Sequence, residues 1–172
     1  MGQNLISAEQ VLSVAYPDGG ELRYGFERRI LGRAQVVDVL IHEWERDIPL
    51  TQDEEAIAFL LRDELDSLDD LVLRLPDSSL LPGGTVAPNA GMRFWLYVLL
   101  SRVLAERLSS DQLWSRVDDI HSIFGYAGSM TPIVRVAGDP VPMEESLARL
   151  EDYIRRESQF YSVRARPDHT RQ

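Results

Sequence analysis

The sequence predicts a mainly α-helical fold: one domain over residues 1–160, a multi-helix orthogonal bundle, followed by a flexible C-terminal tail over residues 161–172. Three observations predict it. Apolar residues recur in three- and four-residue steps from Val36 to Trp44, Ile57 to Leu75, Leu113 to Phe124 and Leu147 to Ile154, the period of helices that bury one face. Thr51 with Glu54, and Ser109 with Gln112, have the spacing of capping boxes, which mark helix starts. The turn-forming residues are gathered into a few short stretches between those stripes. A chain of 172 residues supports one domain with a proper core, whereas two would leave each half marginal.

The N-terminal segment has two readings. Leu12 to Tyr16, the turn formers Pro17 to Gly20, and Glu21 to Phe26 alternate as a short hairpin would. The segment then runs on into Glu27 to Leu31 and reads equally as helix, turn, helix, which is the reading adopted. From Arg33 the period is clearer, with Val36, Val37, Leu40, Ile41 and Trp44 on one face and Pro49 ending the helix. The next helix starts at Thr51. Ile57, Leu61, Leu65, Leu68, Val72 and Leu75 continue the stripe as one long helix, or as two broken near Ser67, whose side chain would cap the second.

Residues Pro76 to Asn89 read as a surface loop or inner linker. Met92 to Leu108 is apolar on nearly every side, as a central helix must be. After Ser109, the residues Leu113, Val117, Ile120 and Phe124 form a stripe that stops at Gly125, a natural left-handed C-cap. A last helix from about Met143 to Ser158 places Leu147, Leu150 and Ile154 on one side. There is no internal repeat.

Composition removes several classes of function. No cysteine is present, so disulfides, thiolate metal sites and thiol nucleophiles are excluded and a reducing cytoplasm fits. The first ten residues lack the basic and apolar regions of a signal peptide, and Ile6 stands where a myristoylation signal needs a hydroxyl. The longest apolar run, Phe94 to Leu100, is far too short to span a membrane. All 18 basic residues are arginine, which removes Schiff-base chemistry and the phosphate-loop lysine, although a GC-rich genome produces the same bias.

Candidate catalytic groups are few. His42 opens a zinc-protease-like HEWE run, but Arg46 replaces the second histidine that such a site needs. Asp118 and His121 lie one turn apart and could form an acid/base couple, against the plainer reading of a helix histidine near a C-terminus. His169 lies in the tail. The neighbouring acids Asp69-Asp70, Asp118-Asp119 and Glu144-Glu145 diverge by about 100° on a helix and do not converge on a substrate. Neither a nucleophile elbow nor a phosphate loop occurs, so no catalytic residue, cofactor or metal is expected. Nucleic acid is a poor partner for a chain with a net charge of −10 and dispersed arginines.

The charge is concentrated. Between Asp38 and Asp77 stand thirteen acids and three arginines, so this one stretch carries the whole net charge. Glu43, Glu45, Asp47, Asp53, Glu54, Glu55, Asp63, Asp66, Asp69 and Asp70 are the candidate partner-binding acids. Such a face steers a basic partner, though a soluble helix surface without a partner has the same composition. An exposed Trp44 or Trp114 beside it would supply an anchor.

The order of motifs resembles a bacterial family, domain of unknown function 2247. The resemblance rests on the run from Leu22 to Glu27 with Tyr24 and Gly25, on the helix with Phe94 to Leu100, on Phe124 and Tyr126, and on Ile133, Val134 and Arg135. It covers residues from about 20 to 157, and Ile123 and Gly125 depart from the acids of that pattern. The resemblance implies a candidate immunity protein, small and cytoplasmic, that protects a bacterium from a toxin.

The leading expectation is therefore a cytoplasmic immunity protein, not an enzyme, whose acidic helical face meets a basic toxin domain, with no nucleic-acid or membrane partner. It would act as a monomer or homodimer. The alternatives are a homodimeric scaffold packed through the Met92–Leu108 region, or a hydrolase or nuclease-like enzyme using Asp118 and His121.

Overall fold

The computed structural model describes residues 6–60, 62–77, 89–125 and 141–164. Among the described residues there are eight α-helices, one 3-10 turn and no strand. The helices are α1 (Ala8–Leu12), α2 (Gly19–Glu27), α3 (Arg33–Glu45), α4 (Gln52–Ala58), α5 (Leu68–Val72), α6 (Ala90–Ala105), α7 (Ser110–Ile123) and α8 (Met143–Arg164), with the 3-10 turn at Arg62–Ser67. The chain divides into two compact units, one reaching to Trp95 and the other formed by Leu96–Arg164.

Local chemistry explains the starts of the short helices. Ser7 with Gln10, Asp18 with Glu21, and Thr51 with Glu54 each form a reciprocal capping box that satisfies two otherwise orphaned backbone donors. The box at Asp18 settles the N-terminal ambiguity against the hairpin. Its carboxylate accepts from the Glu21 amide at 2.9 Å while the Glu21 carboxylate accepts from the Asp18 amide at 2.9 Å, so the Asp-Gly-Gly run opens a helix and is not a turn tip.

In the first unit α3 is the hub, packed by α1, α2 and α4, while α5 packs on α2 and α4. Val11 and Leu12 of α1, Leu22 of α2, Val36, Val39 and Leu40 of α3, Ile57 of α4, and Leu68 and Val72 of α5 are buried. Ile30 and Leu31, which follow α2, join them. The helix ends here are tight. Arg29 (φ 59) and Asp47 (φ 58) adopt left-handed backbone, and the Ile30 and Ile48 amides reach back to the Gly25 and Glu43 carbonyls, so α3 has already stopped before Pro49.

The stripe from Ile57 to Leu75 is not one long helix; a second helix starts directly after Ser67, as the two-helix reading expected. It breaks into α4, the 3-10 turn and α5. Ser67 stands at the second break, but its hydroxyl donates to the Glu64 carbonyl at 2.7 Å and does not cap α5. Leu61, the greater part of the 76–89 loop, Tyr126, Ile133, Val134, Arg135 and His169 lie outside the described residues.

In the second unit Leu96 to Leu100 of α6 are all buried, with Leu113, Val117 and Ile120 of α7, then Phe124, and Leu150 of α8. Tyr97 stacks on Tyr161 with ring centroids 5.1 Å apart and planes 10° apart. α8 thus runs past Ser158 to Arg164, and residues 161–164, expected in the tail, are helical. Gly125 (φ 66) closes α7 in the left-handed conformation its position called for. On α8, Arg149 pairs with Glu145, and Arg155 and Arg156 both pair with Asp152.

Candidate docking surface

α3 is apolar on two faces. Val36, Val39 and Leu40 turn into the first unit's core, and Glu43, one turn on, is buried with them at 3 % exposure. The opposite stripe is Ala34, Val37, Ile41 and Trp44, at steps of three and four residues. Helical period alone put Trp44 on the core face. It stands instead 53 % exposed at the far end of this second stripe.

Beside the second stripe lies a groove of about 560 Å³, lined by Ala34, Val37, Asp38 and Ile41 of α3 and by Leu60 and Leu65 from the chain after α4. Phe59, the residue before Leu60, is 60 % exposed and meets Trp44 edge to face, with centroids 5.7 Å apart and planes at 78°. Trp44 follows the groove residue Ile41 by three positions and Phe59 precedes Leu60, so an exposed aromatic pair adjoins residues of the apolar groove. Large apolar groups left in water cost free energy unless something covers them.

The ten candidate acids divide around this surface. Glu43 and Glu54 are buried and offer a partner almost no contact surface. The Glu54 carboxylate accepts from the Thr51 amide at 2.7 Å, and its other oxygen lies 3.1 Å from where a Cβ on Gly19 would stand. Glu45, Asp47, Glu55 and Asp70 are exposed, and Asp53 is half-buried. Asp63 belongs to the 3-10 turn, and its side chain is outside what the structure describes.

Asp66 and Asp69 share Arg33. The guanidinium donates to both Asp69 oxygens, at 3.0 and 2.8 Å, and Asp66 lies 3.8 Å away. These hydrogen bonds, with the charge of Arg33, hold the Asp69 carboxyl below the ordinary carboxylate range against a smaller opposing effect of desolvation. Asp69 already has a partner in the fold, whereas Asp38 stands exposed in the wall of the groove itself.

Elsewhere, Trp114 is half-buried and points its indole N–H at the Met143 sulfur, so it is no exposed anchor. Asp118 is exposed and His121 half-buried on α7. Among the described residues no three His, Cys, Asp or Glu side chains gather as metal ligands would, and no helix is long and apolar enough to cross a membrane.

The groove was not foreseen. Its signal in the sequence was the second period on α3, Ala34, Val37, Ile41 and Trp44, offset from Val36, Val39 and Leu40. A family model described as "Uncharacterized protein conserved in bacteria (DUF2247)" matches residues 11–158. No curated protein and no solved structure matches the chain.

Proposed function

The chain belongs to the bacterial DUF2247 family, and we propose that it works as a cytoplasmic immunity protein, neutralising a basic toxin domain by stoichiometric binding. The observation that carries this reading is the exposed Trp44–Phe59 pair within the acidic stretch. Aromatic anchors supply the binding energy of a protein interface, and surrounding carboxylates speed encounter with a basic surface and reject acidic ones. Glu45 adjoins Trp44 and Glu55 lies one turn before Phe59, so anchor and charge share one surface.

The partner to test is a basic toxin domain, sought first among the products of the genes beside this chain's own. Co-expressed with it, the chain should co-elute as a complex at low salt, and the affinity should fall as ionic strength rises because the steering charges are exposed. Trp44→Ala should weaken that complex by about tenfold or more, the loss of one interface hot spot. Failure to associate at low salt sinks the reading.

A further inference from the structure

We infer that the α3 groove receives an amphipathic basic helix of the partner, with apolar side chains in the groove and arginines or lysines along its rim. This rests on the protein-binding reading above and names the mode of contact. The groove wall supplies apolar surface from Ala34, Val37, Ile41, Leu60 and Leu65 but no β-edge, since no strand exists among the described residues. The backbone of α3 is bonded within its own helix. An entering segment therefore finds no row of backbone partners: a helix satisfies its own amides and carbonyls, whereas an extended peptide would leave them to water.

Dimensions agree with a helix. Ala34 to Trp44 covers about 15 Å of α3 at the helical rise per residue, the length over which an incoming helix presents anchors at i, i+3 or i+4, and i+7.

Charge chooses the occupant. Asp38 stands in the wall, Glu45 follows Ile41 by one turn on the same stripe, and Glu64 and Asp66 flank Leu65 on the other side. Arg33, at the Ala34 end, is engaged by Asp69 and Asp66. A second copy packing this same face would bring like charge to that rim, whereas a basic helix brings the opposite sign.

The test uses the full chain and a labelled synthetic helix with leucine at i, i+3, i+4 and i+7 and arginine at most other positions. A scrambled peptide of the same composition is the control. Fluorescence anisotropy should show the patterned peptide binding at least about tenfold tighter than the scramble, and Ala34→Trp, which fills the groove from an exposed position, should remove that advantage. Ile41→Gln provides a second variant, with thermal melts to establish that both fold. Equal binding of the two peptides, or indifference to both variants, overturns the proposal. So does a dimer in sedimentation that Ala34→Trp dissociates, because a second copy would then be the occupant. If the neighbouring toxin binds and Trp44→Ala weakens it while the groove variants do not, the groove inference fails and the immunity reading stands. If the patterned peptide binds and the toxin does not, the immunity reading fails alone.

Discussion

Gly25 lies directly beneath the indole of Trp95: a Cβ there would come within 2.6 Å of both Cε2 and Cζ2. The relation is reciprocal, because a Cβ on Gly91, one turn before Trp95 on α6, would come within 2.7 Å of Cβ and Cγ of Tyr24. Each helix sets an aromatic ring over the other's glycine. The indole N–H then donates to the Glu21 carbonyl of α2 at 2.7 Å, which fixes the depth of the contact. The tyrosine-glycine pair on which the family resemblance partly rests is thus a packing device.

Gly25→Ala should destabilise the protein despite the better helix propensity of alanine. Propensity favours the variant by about 1 kcal/mol, but the added methyl overlaps a fully buried ring, and such overpacking costs about 1–3 kcal/mol. Urea denaturation should show a lowered midpoint, with Gly91→Ala moving in the same direction. A raised midpoint would mean that the indole can shift aside.

Thr51→Ala should cost about 1 kcal/mol, the usual loss of an N-cap side chain. At the other half of the box the comparison is more telling. Glu54→Gln keeps an oxygen for the Thr51 amide and should lose less than Glu54→Ala, which leaves that amide without its side-chain acceptor beside Gly19. Equal midpoints for the two Glu54 variants would show that charge or bulk, and not the cap, is what the fold uses.

Glu54 also shows how much could be read in the sequence. Its spacing from Thr51 marked a helix start correctly, yet that role consumes the carboxylate, so one residue could not serve both cap and exposed face. The helices of α3, α6 and α7 were legible because each has a sustained period or a continuous apolar run bounded by a cap or a left-handed residue. The break at Arg62–Ser67 was less so, since Ser67 bonds back to Glu64 and the apolar steps pass through the 3-10 turn undisturbed. The docking groove was hidden for a related reason. Val37 and Ile41 fit either face of α3, and only tertiary packing decides that Glu43 goes inward while Trp44 goes outward.

The Arg33–Asp69 pair should leave a pH signature. Arg33 lowers the Asp69 pKa in the folded chain, so the contribution of the pair is fully present above the ordinary carboxylate pKa and is lost as pH falls through the lower folded value. Carboxyl NMR titration should place Asp69 below the ordinary carboxylate range. Arg33→Gln should return Asp69 to the ordinary range and flatten the acid limb of stability only slightly, because both partners are solvent-exposed. An unmoved Asp69 titration in Arg33→Gln would show that the ion pair does not persist in solution.

Trp44 and Phe59 separate folding from binding. Both are more than half exposed, so Trp44→Ala or Phe59→Ala opens no core cavity and should destabilise clearly less than a core truncation, through their mutual edge-to-face contact and partly buried surface. Trp95→Ala is the contrast, since it empties a fully buried indole site and should cost about 3–5 kcal/mol. Binding should rank them the other way. Partner affinity should fall by about tenfold or more for Trp44→Ala at unchanged fold, and reversing Glu45 and Glu55 to arginine should lower the association rate and its salt dependence. Calorimetry and stopped-flow on the same variants read the two effects apart. If Trp44→Ala lowers the melting temperature as far as Trp95→Ala does, then Trp44 belongs to the core in solution, and the acidic surface loses the anchor on which its function was argued.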